Sequence, residues 1–260
     1  MRDGRELLFA KINKAEKILV GLGEEFQFDW SSLLEDCRYQ EIEKEIGGRG
    51  EYIWIVPFLQ KMVLSESKQN KWQTAYGNLG KVLKEKDYFI VSLCMDDYIY
   101  KAGFDESRIV TPCGGFQKMQ CDQNCCHVLS DIPGESYDAV IQYYRKEIPL
   151  EDLHEPVCDQ CGSKLRFNQL GVTKYAEEGY LDSWERYTKW LQGTMNRDLC
   201  VLELGVGMEY PTVIRFPFEK IVYYNQKSFL YRVHSKLYQI GEEISGRGTG
   251  MQADAIEFMG

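Results

Sequence analysis

The residues of this chain best suited to chemistry are its cysteines, and they are crowded. Four of the nine, with one of the three histidines, fall in CGGFQKMQCDQNCCH at 113–127, and two more stand in PVCDQCG at 156–162. Thiols can serve as nucleophiles, disulfide partners or metal ligands, so spacing has to decide. Cys121-x-x-x-Cys125 and Cys158-x-x-Cys161 are two chelating pairs. A short spacing lets one turn aim two sulfurs at one ion, and Zn²⁺ favours a tetrahedral shell of thiolates. Gly162, after the second pair, gives the freedom that a tight knuckle turn needs. Cys126 could replace Cys125, and His127 could enter the shell, but the spacing from Cys121 favours Cys125. Four thiolates close the shell, so this zinc would be structural. The competing reading is a set of buried or redox-active thiols.

Compartment supports metal over disulfides. The N-terminus has no apolar signal core followed by a small-residue cleavage site, and no run reaches the roughly 18 apolar residues of a membrane span. The expected location is cytoplasmic, where thiols stay reduced. An odd count of nine cysteines also argues against a complete disulfide framework. The net charge of −9 excludes a broad basic surface, so no nucleic-acid partner is expected, and no membrane partner either.

A second kind of chemistry is offered by two glycine pairs, Gly21-Leu-Gly23 and Gly205-Val-Gly207, each closing an apolar run. At the carboxyl edge of a parallel sheet such glycines let backbone N–H groups approach a phosphate or ribose. Either pair alone often makes only a tight turn, and neither completes G-x-G-x-x-G.

The elements that must position these residues alternate in type. Helical spacing covers 4–16, with Leu7, Leu8, Ile12 and Ala15 on one face. Buried strands are expected at 17–23, 88–93, 199–205 and 229–233. Helices are expected at 31–46, 71–85, 176–195, 211–223 and in the tail at 251–259, whereas 54–64 is apolar but broken by Pro57. This alternation gives an α/β protein with a Rossmann-like, doubly wound parallel sheet. Residues 1–112 and 166–260 would form it, with 113–165 as a small inserted zinc-binding domain.

With these pieces in place, the chain resembles the sirtuin family, in particular the branch linked to macrodomains in microbes. YFIVSLCMDDYIYKAGF from Tyr88 is similar to that branch's strand and loop, YF-x-x-TTNVD…KAGF. The chelating pairs, with Asn168 just beyond, resemble the family's zinc module. LELGVGMEYPTVIRFPF from Leu202 resembles its second nucleotide motif, and GEEISGRGTGMQADAIEF at the end its adenine-side loop, with Asp254 and Ala255. The likeness runs from about residue 70 to 260. It implies NAD or ADP-ribose bound between a Rossmann-like domain and a zinc domain, with lysine deacylation or ADP-ribosyl transfer to a protein acceptor as the activity.

The departures bear on that activity. The family's GAG-x-S reads Gly21-Leu-Gly-Glu-Glu25, which puts Glu24 and Glu25 where like charge would repel a pyrophosphate. The asparagine beside nicotinamide is Cys94, while the aspartate survives as Asp96. The His-Gly base falls on Cys113-Gly114, and a ribose-contacting asparagine on His234. Cys113 is either a base or nucleophile with a depressed pKa, or a small buried residue in a decayed site. The enzyme reading has Gly21, Gly23, Gly205 and Gly207 holding NAD, Asp96 orienting the ribose and Cys113 replacing the base. The alternative is a non-catalytic module that senses a nucleotide or binds a protein.

Overall fold

The computed structural model describes residues 2–66 and 70–260. Three apolar runs become the strands at the centre of a six-stranded sheet: β1 (Lys17–Leu22), β2 (Asp87–Ser92) and, later, β6 (Leu199–Leu204). Between them lie β3 (Ile109–Val110) and a separate antiparallel pair, β4 (Gly114–Cys121) and β5 (Leu165–Gln169). β7 (Ser228–Val233) and β8 (Gly248–Met251) follow. The large sheet has the order β3-β2-β1-β6-β7-β8 and every pairing in it is parallel. Parallel strands are covered on both faces, which is why their sequences read as near-continuous apolar runs.

The helices are α1 (Arg2–Lys14), α2 (Ser31–Leu34), α3 (Cys37–Ile46), α4 (Ile55–Glu66) and α5 (Lys71–Leu83). After these come α6 (Tyr98–Lys101), α7 (Gly134–Tyr144), α8 (Leu181–Gln192), α9 (Arg215–Tyr224) and α10 (Ala255–Met259). Alternate strand residues face opposite layers. Ile18, Val20, Leu22, Leu202 and Leu204 join one core with α1, α5 and α10. Leu19, Phe89, Val91, Val201 and Leu230 join the other with α8 and α9. The sheet is therefore doubly wound, as the sequence implies. Leu8 and Ile12 are buried along α1 and Ala15 just after it, while the side chain of Leu7 lies outside the described residues.

Two expectations change, and one element is new. Pro57 does not break its segment, because it sits in the first turn of α4, where its missing N–H would have no helical partner. The helix expected over 31–46 is two helices, because the Asp36 carboxylate takes the Tyr39 amide at 2.7 Å and starts α3 afresh. The region around the cysteines contains α7, which buries Val140 and Tyr143. A chain of aromatic contacts joins β4 and β5 to the rest. Trp30 meets Phe116 at 6.0 Å, Phe116 meets Phe167 at 5.2 Å, and Phe167 meets Phe58 of α4 at 4.9 Å.

Candidate functional site

The strand order reverses between β1 and β6, so the loops leaving their carboxyl ends diverge. In open α/β sheets ligands bind in the crevice this creates. Here Gly23 N–H donates to Leu204 O at 2.9 Å and Glu25 N–H to Gly205 O at 3.1 Å, which draws the two loops together. The glycines permit that closeness. A Cβ on Gly23 would lie 2.3 Å from Val206 Cα, and one on Gly21 2.5 Å from the Ile214 side chain under α9. Gly205 has φ +65°, which a residue with a side chain rarely adopts. The close approach made by these three glycines is thus to other parts of the chain.

Two glutamates fill the space between the loops. Glu24 takes the amide of Gly207 on Oε2 at 2.6 Å and that of Glu209 on Oε1 at 3.0 Å. Glu25 takes the Ser235 amide on Oε2 at 2.9 Å, and its Oε1 accepts from the Ser235 hydroxyl. His234 Nδ1 stands 3.0 Å from Glu25 Oε1 and equally close to the Lys236 amide. One nitrogen cannot serve both at once: with a proton it donates to Glu25, and without one it accepts from the amide. Burial pulls the His234 pKa down, against the pull of Glu25. Both glutamates are thus spent on donors of the β6 and β7 loops, three backbone amides and the Ser235 hydroxyl, which the sequence did not reveal.

Beside them lies a cleft of about 350 Å³. Its lining holds the carboxylates of Glu24, Asp29 and Glu209 with Phe28 and Tyr210, and among the described residues no lysine or arginine. Cys94 is buried next to it, with its thiol on Gly23 O at 3.4 Å, and burial pushes its pKa well up. Asp96 is 1% exposed, and both its oxygens are committed, to Phe28 N–H at 2.6 Å and Tyr98 N–H at 3.1 Å. Burial raises its pKa to about 7 despite those amides. Cys113 is buried, and burial together with the Glu209 and Glu24 carboxylates pushes its thiol up to about 12. It is a thiol at neutral pH and not a thiolate base. Asp254 caps α10 through the Glu257 amide at 2.9 Å, and Ala255 is fully buried.

Sequence reasoning missed Ser235, the Glu209 amide and Asp97. Asp97 is 4% exposed and holds φ +58°. It takes the Phe116 amide at 3.0 Å and stands 4.0 Å from Lys61 Nζ, so it ties the β2 loop to β4. The adjacent acids Asp96-Asp97 inside an apolar stretch were the available signal.

The cysteines converge as their spacing implies. The sulfurs of Cys121, Cys125, Cys158 and Cys161 all lie within 4.8 Å of one another. Cys121 to Cys161 is 3.5 Å and Cys125 to Cys158 is 3.7 Å. A tetrahedral ion with bonds of about 2.3 Å sets its sulfurs about 3.8 Å apart, so the quartet could hold such an ion. Cys121 ends β4 opposite Leu165 of β5, and Gly162, at φ +72°, turns the chain after Cys161. Cys126 lies outside the quartet against Val128 O at 3.9 Å, and His127 turns away to Glu178 at 3.0 Å.

No family model matches the chain. It is 20% identical over 267 residues to a protein ADP-ribosyltransferase of Staphylococcus aureus (strain Mu50 / ATCC 700699), covering 96% of this chain and 84% of that protein. It is 28% identical over 142 residues to a probable bifunctional ADP-ribose hydrolase/ADP-ribosyltransferase of Fusarium oxysporum f. sp. cubense, covering 53% of this chain and 24% of that protein. Among solved structures, a Sir2 homologue in complex with NAD superposes with a TM-score of 0.57 at 16% identity, over 98% of this chain and 90% of that one. Sir2Tm bound to a propionylated peptide superposes with 0.56 at 16%, over 98% and 94%. The chain has the sirtuin fold.

Within that fold the crevice between the β1 and β6 loops is where a nucleotide would be sought, and its backbone donors are suited to an anion. A diphosphate does not fit it as it stands, because the donors on Gly207, Glu209 and Ser235 already serve Glu24 and Glu25. The cysteine quartet, by contrast, is gathered closely enough to hold a tetrahedral ion.

Proposed function

We propose that this is a sirtuin-type, zinc-containing protein of the lineage that transfers ADP-ribose from NAD or deacylates lysine, with weakened activity. The observation carrying this reading is the convergence, at the reversal of strand order, of the loops bearing Gly23, Cys94, Asp96, Gly205 and His234. The similarity to protein ADP-ribosyltransferases supports transfer over deacylation, as does Cys113 at the position of the usual histidine base. Gly205, Gly207, His234, Asp254 and Ala255 would serve the adenosine half, and Cys94 would line the nicotinamide side. Asp96 would act by bracing the Phe28 loop. Zinc would be held by Cys121, Cys125, Cys158 and Cys161 in an insert over 113–165, and would supply only rigidity, since no coordination position is left for chemistry.

The test is calorimetric titration of the purified full chain with NAD and with ADP-ribose. Similar, modest affinities are expected, because the nicotinamide side has lost its family residues. A far tighter NAD complex would mean that the nicotinamide pocket is intact. A second reading, a protein-binding module that has abandoned the nucleotide, is favoured by one observation: the crevice donors already have partners in Glu24 and Glu25.

A further inference from the structure

Glu24 and Glu25 follow β1 directly and lie on one short turn, Glu24–Phe26. That turn is pinned at its backbone, because Gly23 N–H and Glu25 N–H both donate to the end of β6. From this anchored position the two side chains diverge. Glu24 spans two amides of a single loop with its two oxygens, on Gly207 at 2.6 Å and Glu209 at 3.0 Å. Successive backbone N–H groups in a turn form a concavity that selects anions. Glu25 does the same for the next loop, with the Ser235 amide at 2.9 Å and the Ser235 hydroxyl. All four carboxylate oxygens are therefore engaged, by amide and hydroxyl donors of the β6 and β7 loops that a phosphate chain lying between those loops would meet.

The surroundings do not compensate a second anion. The adjacent cleft adds Asp29 and Glu209. The buried cation that bridges these loops, Arg215, is committed to the Val206 and Leu237 carbonyls at 2.9 Å each. A charged hydrogen bond lost without replacement is expensive. An incoming diphosphate must therefore either displace both carboxylates from their amides or lie beside them unpaired.

We propose that Glu24 and Glu25 are specificity-determining residues, an internal anion that holds the crevice's phosphate donors for the chain itself, so that a diphosphate-bearing nucleotide enters only by displacing them. This rests on the nucleotide reading above. It carries a consequence for ligand class: as folded, the crevice accepts an uncharged nucleoside more readily than its diphosphate derivative, because the diphosphate must displace two carboxylates from their donors. It also keeps the β6 and β7 loops in one arrangement when no ligand is bound.

The experiment compares adenosine with ADP-ribose by calorimetry on the wild-type chain, on Glu24→Ala with Glu25→Ala, and on Glu24→Gln with Glu25→Gln. The alanine pair frees the donors. The glutamine pair keeps an acceptor oxygen on each loop and removes only the charge, so it remains informative where the alanine pair fails to fold. The ratio of ADP-ribose to adenosine affinity should be below one in wild type and rise about tenfold or more in the alanine pair, with a smaller rise in the glutamine pair. The readout is the ratio within each protein, so an effect of the substitutions on the β6 and β7 loops that both ligands share cancels. If ADP-ribose binds wild type and the ratio does not move in either folded variant, the proposal fails while the nucleotide reading stands. If neither ligand binds wild type or a folded variant, the nucleotide reading fails and the proposal with it.

Discussion

Arg232 and Glu203 face one another across β7 and β6, both shut away from water, with Nε 2.6 Å from Oε2 and Nη2 3.2 Å from Oε1. The guanidinium also donates to Glu219 Oε1 at 2.8 Å and Gln239 O at 2.6 Å. A buried pair of this kind adds little net stability over an apolar pair of equal volume, but removing one partner strands the other charge. Its place in the fold gives it a use. Arg232 ties down the chain after β7 at Gln239, and Arg215 joins the β6 loop to Leu237, so buried cations fix the two loops that carry Gly207 and Ser235.

Arg232→Met should therefore destabilise the chain by about 3–5 kcal/mol, and combining it with Glu203→Leu should recover much of that loss. Denaturant titration of the two proteins checks this. Equal destabilisation in both would mean that the stranded carboxylate is not the source of the cost.

A metal in the cysteine quartet would make its binding energy part of the folding energy of β4, β5 and their turns. Purified without chelator, the chain should carry one equivalent of zinc by elemental analysis. Cys158→Ser and Cys125→Ser should lose it and lower Tm on the order of 5–10 °C. Cys126→Ser, whose sulfur stands outside the quartet, should keep both metal and Tm. Metal-free wild type, or metal loss in the Cys126 variant, would redraw the site.

Cys113 should be inert. With its pKa pushed up to about 12, roughly one molecule in ten thousand carries the thiolate at pH 8. Alkylation followed by mass spectrometry should label exposed Cys37 and Cys126 and leave Cys113 untouched in the folded chain. For the same reason lysine deacylation should be depressed, on the order of 10²–10⁴ for a missing general base. Robust NAD-dependent release of acetyl groups from a peptide panel would overturn this view of Cys113.

What could be read in the sequence followed the range of the interaction. The cysteine quartet was legible because each chelating pair is local, and Cys121, Cys125, Cys158 and Cys161 do converge. The four six-residue strands of the large sheet were legible because burial on both faces leaves apolar runs such as KILVGL and LCVLEL, whereas β4 and β5 were not. The edge strands were not: Ile109–Val110 is two residues long, and Gly248–Met251 reads GTGM, with no apolar run. Glu203 was invisible as a buried charge because its partner lies on the next strand. Glu24 and Glu25 were noticed, but as repulsive charges, because nothing local shows that their partners are amides of residues 207, 209 and 235. Charge was legible there, and hydrogen-bond satisfaction was not.

The pH dependence of stability offers a last test, through Asp97. Its carboxyl is buried between the Phe116 amide and Lys61, with Lys101 and the like charge of Asp96 close by. Burial is the largest influence and raises its pKa to about 6, against about 3.9 in an unfolded chain. The sign follows from proton counting. Below about pH 4 both states hold the proton, so the group contributes no difference. Between about 4 and 6 the folded chain keeps a proton that the unfolded chain has released, so stability falls as pH rises, and above about 6 the loss is complete. The size is on the order of 1–3 kcal/mol. Asp97→Asn keeps an acceptor for the Phe116 amide and removes the titration. Its Tm should therefore fall less than that of wild type between pH 4.5 and pH 7.5, taken as the difference between the two proteins so that groups not coupled to Asp97 cancel. Asp96, with its pKa raised to about 7 by burial and in part by the Asp97 charge, gives each protein a slope of the same sign and adds to the difference in the same direction. Parallel Tm curves across this range would show that Asp97 is already ionised in the folded chain at pH 4.5, and that Lys61 holds it charged despite its burial.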